Sequence, residues 1–291
     1  MMHSRRFVVF IVFALCGMLL TDTAHAVVKR GTRPTVIGKV PQKATLQKTA
    51  SVQAKPTTPS SVFAQGETLR FSATFNQLDA GGGEVQLRKE RQADGRDVFR
   101  FTGKARTSEW VDLLYKRRDE ADATFGISDY APLSFLLLSR ESDRRREYSV
   151  RYDPETKTLV GSVRKKSQIR EQSLPAGKVY DPASAFYLLR SREFAPGTLV
   201  EAEILTGRGH YRFVAQVLEK DIIEVNGKRR PALRLHPEVY SLEKGTHENI
   251  LPEETTLWVS ADPLHVPLKL QSDTIWGWIV VELDKRALRS E

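Results

Sequence analysis

The sequence predicts a mainly β protein, built as a large curved antiparallel sheet or open barrel with about two short helices. From position 63 onward, apolar and polar residues alternate with a period of two, which is typical of strands with one buried face. Turn signals such as Asp94-Gly95 and Asn226-Gly227 separate these runs. Long helices do not alternate with the strands, so a parallel α/β architecture is disfavoured.

The first strands lie on either side of a glycine run. Leu69–Phe75 alternates cleanly, and Val85–Arg88 follows Ala80-Gly81-Gly82-Gly83. We expect the glycines to form a hairpin turn, because a phosphate-binding loop would need a helix after them. Further strands are expected at Phe99–Ala105, Tyr148–Tyr152 and Leu159–Val163.

The C-terminal half repeats the pattern. Its strands are expected at Tyr211–Val217, Ile222–Val225, Leu233–His236, Leu257–Ser260, Val266–Leu270 and Ile275–Leu283. The last of these is apolar on both faces, which requires cover on both sides. This is consistent with a sheet that wraps around a helix.

Two segments have helical periodicity instead. Ser108–Lys116 places Trp110, Val111 and Leu114 on one face. Asp181–Ser191 begins with Asp-Pro, a capping residue followed by a first-turn proline, and spaces its apolar residues at helical intervals.

The first 26 residues have the three parts of a secretory signal peptide. Arg5-Arg6 precedes an apolar run from 7 to 20, and Ala24-His25-Ala26 matches a cleavage site. We therefore expect export to the periplasm. The single cysteine, Cys16, lies inside the apolar run, so lipoprotein anchoring is not expected. After cleavage no disulfide, thiolate nucleophile or cysteine-ligated metal is available.

Residues 27–62 form a region of distinct composition, here called the basic tether. It carries seven Lys or Arg and no Asp or Glu, with four prolines and no aromatic residue. Such a composition is typical of disorder. Of the formal net charge of +9, only +1 then belongs to residues 63–291, which we expect to form one β-rich domain. We expect the basic tether to contact an anionic envelope lipid or glycan, and we expect no nucleic-acid partner.

The sequence has no motif of a known catalytic or metal site. Its later histidines, at 210, 236, 247 and 265, form no His-x-His or His-x-x-x-His pair, and no Gly-x-Ser-x-Gly elbow is present. Neighbouring carboxylates such as Asp119-Glu120 point to opposite faces of a strand. We therefore predict no catalytic residue, no metal site and no cofactor. An enzyme with a site assembled from distant strands, near Asp262 or His236, stays open as an alternative.

The candidate ligand-binding residues are Trp258, Trp276, Trp278 and Arg234. Trp276 and Trp278 are two positions apart on a strand and share a face, where they could stack on a sugar or line an apolar pocket. The alternative is that they belong to the core of the sheet.

Basic clusters lie beside several strand ends. They include Lys116-Arg117-Arg118, Arg144-Arg145-Arg146 and Arg164-Lys165-Lys166. One interpretation is a set of solvated charges that discourage aggregation between sheet edges. The other is a patch for an anionic envelope component.

Five motifs, in this order and spacing, resemble the exported bacterial family catalogued as domain of unknown function 3108. They are Gly66–Phe71, Ala80-Gly81-Gly82, Asp181–Arg190, Leu257–Asp262 and Val266-Pro267-Leu268. The resemblance covers roughly 63–284 and implies an envelope protein with a β-rich fold. It implies no activity and no catalytic residues. The basic tether and the strand through Trp276-Gly277-Trp278 depart from the family pattern.

The leading hypothesis is a non-enzymatic periplasmic protein of the cell envelope. Its curved sheet would bind an apolar or amphiphilic molecule, a lipid or a glycan. The alternative is a structural module that binds a partner protein or peptidoglycan.

Overall fold

The computed structural model describes Phe63 and residues 65–243, 249–274 and 277–288, which form fifteen strands and two short helices. The strands are β1 (Glu67–Phe75), β2 (Leu78–Arg91), β3 (Asp97–Thr107), β4 (Arg117–Gly126), β5 (Pro132–Glu141), β6 (Arg144–Asp153), β7 (Thr158–Lys165), β8 (Gln168–Pro175), β9 (Val179–Tyr180), β10 (Leu199–Leu205), β11 (His210–Val225), β12 (Lys228–Ser241), β13 (Thr256–Ser260), β14 (Pro267–Thr274) and β15 (Gly277–Leu288). The helices are α1 (Glu109–Asp112) and α2 (Pro182–Arg190).

All strands belong to one sheet, in the order β8-β7-β6-β5-β4-β3-β2-β1-β15-β14-β13-β12-β11-β10-β9. Strands that follow each other in sequence pair antiparallel from β1 to β8 and again from β10 to β15. Pairing of β1 with β15 joins these two meanders, and the short β9 adds to β10 in parallel.

The sheet curls until its two halves approach each other. The turn after β10 reaches β6 and β7, where Gly161 faces the side chain of Leu205 and the carbonyl oxygen of Thr206. A Cβ atom on Gly207 would lie only 2.9 Å from the Cα of Tyr148. The result is a nearly closed, barrel-like sheet, and the predicted fold class is confirmed.

Alternating burial separates an inner face of this sheet from an outer one. In β1, Leu69 and Phe71 are buried, whereas Arg70 and Ser72 point outward. The inner residues of both meanders form a single hydrophobic core with α2.

Helix α2 lies inside the barrel, and all nine of its residues are buried. Asp181 is its N-cap and accepts hydrogen bonds from the backbone N–H groups of Ala183 and Ser184. The ring of Tyr187 packs against the rings of Phe63 at 5.0 Å and Phe125 at 5.9 Å between centroids. The prediction of a helix at 181–191 is therefore confirmed.

Helix α1 is shorter than the sequence predicts. It contains only Glu109–Asp112, and Val111 alone is buried. Trp110 is 40% exposed and Leu114 is 78% exposed. The predicted apolar face at 108–116 is wrong, because only Val111 packs into the core, whereas Leu114 is exposed and Trp110 lies against Asp79 of β2.

The glycine run also differs from the prediction, because Gly81–Gly83 lies within β2 and the hairpin turn is at Asn76-Gln77. A Cβ atom on Gly82 would lie 2.5 Å from the carbonyl oxygen of Phe71, so only glycine permits this close approach of β1 and β2. The turn at Asn226-Gly227 is confirmed, with φ values of 50° and 68°.

Several predictions fall outside the described residues. These are the signal peptide at 1–26, the basic tether at 27–62, His247 and Trp276.

Candidate functional site on the outer face of the sheet

Two of the predicted ligand-binding residues, Trp258 and Arg234, are neighbours on the outer face. They lie opposite each other on β13 and β12. The indole N–H of Trp258 donates to Asp221 Oδ2 at 2.9 Å, and Arg234 Nη2 lies 2.8 Å from Glu219 Oε1. Both side chains thus have partners within the protein.

Trp278 lies elsewhere on the outer face. Its partner on β14 is Asp273, whereas the β14 partner of Trp258 is Lys269. These two partners are four residues apart on β14. Four residues of strand correspond to roughly 13 Å. Trp278 is 47% exposed, so it belongs neither to the core nor to one pocket with Trp258.

A broad concave feature on this face lies over β1–β4, a region that sequence reasoning did not identify as a site. It is an open groove of about 1070 Å³. Gly81–Gly83 forms part of its floor, where the absence of side chains makes room between β1 and β3. Trp110 of α1 forms a wall and donates its indole N–H to the carbonyl oxygen of Asp79. The signals in the sequence were the glycine run and a tryptophan in a predicted helix.

The groove carries charges of both signs. Arg70 pairs with Glu84 and holds the pKa of this carboxyl below its usual value. The hydroxyl of Ser72 donates to Asp284 Oδ1 at 2.8 Å. Lys104 and Arg106 also line the groove and have no ion pair within 4.0 Å among the described residues.

From the edge of the groove outward, four arginines lie directly opposite one another across four adjacent strands, and the first two of them, Arg106 and Arg118, also line the groove. This arginine row consists of Arg106 on β3, Arg118 on β4, Arg140 on β5 and Arg145 on β6. All four point to the outer face, and strand spacing gives the row a length of roughly 14 Å. Like charges placed directly opposite each other destabilise a sheet.

One member of the arginine row is neutralised locally. Arg118 Nη1 donates to Asp112 Oδ1 at 3.0 Å, and this contact lowers the pKa of Asp112. Arg106, Arg140 and Arg145 form no ion pair within the part of the chain that the structure describes.

The next row along the same strands has charges of alternating sign. Glu84, Lys104 and Glu120 face one another on β2, β3 and β4, and Leu138, Glu147 and Arg164 continue the row on β5, β6 and β7. Cross-strand charge complementarity therefore operates in this row, and the arginine row beside it departs from that pattern, as does the single pair Arg88 and Arg100 on β2 and β3.

The interior beneath the arginine row does not offset its charge. Arg117 Nε donates to Asp119 Oδ2 at 2.7 Å, and Arg117 Nη1 lies 3.6 Å from Glu141 Oε1. Arg146 is also buried here. Two buried arginines thus face two buried carboxylates, which leaves the inner side close to neutral.

The other buried ionisable groups surround α2. Arg190 pairs with Glu67 of β1, and its guanidinium lies 4.9 Å from the ring centre of Phe63. Burial raises the pKa of Asp181 to about 6 and lowers the pKa of His265. His265 Nδ1 lies 3.0 Å from the carbonyl oxygen of Arg190, and its ring stacks on Phe194. These groups fix the helix inside the barrel rather than meeting in the groove.

A small apolar cavity of about 40 Å³ lies between α2 and the strands of the C-terminal meander. That volume has room for no more than about three water molecules. This part of the interior is therefore too small for a lipid or a sugar.

Asp262 and His236, named above for an enzymatic alternative, do not converge in the described structure. Asp262 accepts the backbone N–H of Leu264 in the turn before β14, and His236 lies on β12 opposite Gln216 of β11. Among the described residues no three His, Cys, Asp or Glu side chains are arranged to hold a metal ion. Within the same residues, no helix has both the length and the apolar character needed to cross a bilayer.

No curated protein matches the chain. Among solved structures, the chain is similar to a β-barrel-like protein of domain of unknown function DUF1849 from Brucella abortus, with 8% sequence identity and a TM-score of 0.48. That match covers 78% of this chain and 98% of the other. A family model described as a protein of unknown function, DUF3108, matches residues 70–284, and the chain therefore belongs to the DUF3108 family.

Proposed function

We propose that this chain is a non-enzymatic protein of the periplasmic cell envelope that binds an amphiphilic envelope molecule, a lipid or a glycan, in the outer-face groove. One observation carries the proposal: a groove of about 1070 Å³ combines an aromatic wall at Trp110 with the cations Lys104 and Arg106. Small-molecule sites typically have volumes of roughly 300–1,000 Å³ and place a few polar groups beside apolar surface.

The packing of the interior supports a site on the outside of the sheet. Helix α2 occupies the barrel with every residue buried, and the cavity beside it holds only about 40 Å³. An acyl chain or a sugar ring would have to displace α2 together with its buried Glu67–Arg190 ion pair. The groove needs no such rearrangement.

The lining of the groove suits an amphiphile with an anionic or hydroxyl-rich head. Arg106 is available to a phosphate or carboxylate, because it forms no ion pair with a described residue. Lys104 lies between Glu84 and Glu120 but is within 4.0 Å of neither carboxylate, so its ammonium group can also reach an anion in the groove. Glu84 and Asp284 add acceptors for hydroxyl groups, and the indole of Trp110 offers an apolar face.

The test is to purify the protein from the periplasm, extract it with organic solvent, and analyse the extract by thin-layer chromatography and mass spectrometry. We expect an amphiphile to co-purify with the wild-type chain and to be lost from the double variant Trp110→Ala, Lys104→Gln. The matched control is Trp278→Ala, which removes an exposed tryptophan of the same face outside the groove.

If Trp110→Ala, Lys104→Gln retains the amphiphile and Trp278→Ala loses it, the binding site lies at the tryptophans predicted from the sequence and not in the groove. An extract without any amphiphile would contradict the proposal. A single dominant protein partner trapped by cross-linking in whole cells would then favour the interaction-module alternative.

A further inference from the structure

The arginine row poses a physical question that the fold does not answer. Four arginines occupy directly opposed positions across β3, β4, β5 and β6, where like charges are destabilising. Three of them have no ion-pair partner among the described residues. Glu120 and Glu147, in the adjacent row, lie two residues along the strand from Arg118 and Arg145 but make no ion pair with them within 4.0 Å.

Protection against aggregation does not explain the row. Charges that serve this purpose belong on sheet edges, and the edges of this sheet are β8 and β9. The arginine row crosses four internal strands. An external anion is therefore the remaining partner for these guanidinium groups, which bind phosphate oxygens in a bidentate manner.

The same end of the sheet also exposes large apolar side chains. The connection from β3 to β4 presents Leu113, which is 86% exposed, and Leu114, which is 78% exposed. Ile169 at the start of β8 is 55% exposed and lies opposite Arg164. Exposed leucines have no role in binding a hydrophilic polyanion, but they insert favourably below the head groups of a bilayer.

The charge of this end is strongly positive. The three segments that form it, 106–118, 139–147 and 163–168, carry nine Lys or Arg and four Asp or Glu besides the buried Arg117, Arg146 and Glu141. The buried Arg117 and Arg146 are offset by Asp119 and Glu141, and of the four other carboxylates Asp112 is paired with Arg118. Hydrophobic attraction by the exposed leucines and electrostatic attraction by the basic residues thus coincide at this end of the sheet. A bilayer with anionic lipids satisfies both.

We propose that the arginine row, together with Leu113 and Leu114, docks this protein on the surface of an anionic lipid bilayer. The arginines bind head-group phosphates, and the two leucines insert at the level of the upper acyl chains. This inference goes beyond the groove, because Arg140, Arg145, Leu113 and Leu114 do not line it.

The experiment measures binding of the chain purified from the periplasm to vesicles by co-sedimentation. One set of vesicles contains phosphatidylglycerol and phosphatidylethanolamine in equal parts, and the other contains phosphatidylcholine alone. The row variant is Arg140→Gln with Arg145→Gln. Its matched control is Arg88→Gln with Arg151→Gln, which removes two exposed outer-face arginines, on β2 and β6, near the other end of the same meander.

The row variant is expected to bind phosphatidylglycerol vesicles about 25-fold more weakly than the wild type, since each arginine near such a surface contributes about fivefold. The control variant has the same net charge and is expected to change binding by less than about threefold. Comparing these two variants cancels any contribution of net charge and of the basic tether. Equal losses in both variants would overturn the proposal.

The tip variant, Leu113→Ser with Leu114→Ser, separates a bilayer from a soluble polyanion. It leaves the charge unchanged and is expected to weaken vesicle binding at least about fivefold without altering retention on dextran sulfate. If the tip variant binds vesicles as well as the wild type does, and the row variant loses binding to dextran sulfate, the partner is an acidic polymer. That result would overturn the proposal that the partner is a bilayer. We expect the row variant to retain the amphiphile that co-purifies in the groove. Its loss of vesicle binding then tests the docking surface alone and not the proposed function.

Discussion

At the scale of single residues, the arginine row predicts a conflict between stability and binding. Arg140 lies between Arg118 and Arg145, so Arg140→Glu replaces two like-charge pairs with two opposite-charge pairs. Each cross-strand pair contributes roughly 0.2–1 kcal/mol. We expect Arg140→Glu to raise the free energy of unfolding by about 1 kcal/mol in urea titrations while it weakens binding to anionic vesicles.

The control for this prediction is Arg140→Gln, which removes repulsion without adding attraction and should give an intermediate stability. A glutamate variant that is less stable than the wild type would mean that Arg140 has a structural partner in the fold.

Asp181 makes stability depend on pH in a direction that is unusual for a carboxylate. Burial raises its pKa from an ordinary value of 3.8 to about 6, so the folded state binds the proton more tightly than the unfolded state. Stability linked to this group is therefore highest below about pH 4 and falls by roughly 2–3 kcal/mol as the pH rises to about 7. Carboxylates with lowered pKa values, such as Glu84 and Asp112, act in the opposite direction.

The variant Asp181→Asn isolates this effect, because asparagine caps a helix about as well as aspartate but does not titrate. We expect the difference in unfolding free energy between Asp181→Asn and the wild type to grow between about pH 4 and pH 7, with the variant the more stable at the upper end. A difference that stays constant over this range would show that Asp181 does not change its protonation there.

Single residues also show how far sequence reasoning reaches. Period-two alternation correctly places Arg70 and Ser72 outside and Leu69 and Phe71 inside. The arginine row could not be predicted in this way, because it depends on register between strands. A β-bulge between Thr124 and Phe125 shifts the pairing of β4 with β5, and alternation alone contains no information about that shift.

At the scale of elements, α2 shows which local signals are decisive. Its Asp-Pro start predicts the helix because the cap satisfies backbone N–H groups wherever the helix lies. The segment at α1 has apolar residues at helical spacing, but the sheet buries only Val111, so a pattern with little surface to pack against does not specify a long helix. The glycine run is similar, since its position inside β2 depends on the close approach of β1.

The attachment of α2 to the sheet depends on the buried pair formed by Glu67 and Arg190. Both side chains are less than 5% exposed, and Arg190 Nη2 donates to Glu67 Oε2 at 3.2 Å. Glu67→Ala leaves a buried guanidinium without its carboxylate, and we expect it to lower the free energy of unfolding by about 3–5 kcal/mol. Urea unfolding followed by tryptophan fluorescence measures this change.

Two further variants make that prediction specific. The double variant Glu67→Leu, Arg190→Met removes both charges and should recover part of the loss. Glu201→Ala breaks the exposed pair with Arg212 and should cost less than about 1 kcal/mol. Equal effects of Glu67→Ala and Glu201→Ala would contradict the assignment of Glu67 and Arg190 as the pair that fixes α2.

At the scale of the whole molecule, the fold class follows from the sequence but the location of the candidate site does not. Alternation and turn signals along 63–284 predict a curved antiparallel sheet, and this is confirmed. The predicted ligand-binding residues Trp258, Trp278 and Arg234 come from β12, β13 and β15 and do not form one pocket, whereas the groove draws on β1–β4 and α1. Sites assembled from several strands require the curvature of the sheet, which no single segment encodes.

The distribution of charge over the whole molecule leads to the last prediction. The basic tether carries seven positive charges, and the arginine row belongs to a described part of the chain whose overall charge is close to neutral. Both attract anionic lipids, and charges that act independently contribute additively to the free energy of binding. A chain without residues 27–62 should therefore bind phosphatidylglycerol vesicles more weakly than the full chain, and its binding should be less sensitive to salt.

In this shortened chain, Arg140→Gln with Arg145→Gln should still weaken binding by the same factor as in the full chain, as measured by co-sedimentation at two salt concentrations. If the shortened chain does not bind at all while its melting temperature is unchanged, the basic tether holds the protein at the membrane and the arginine row does not.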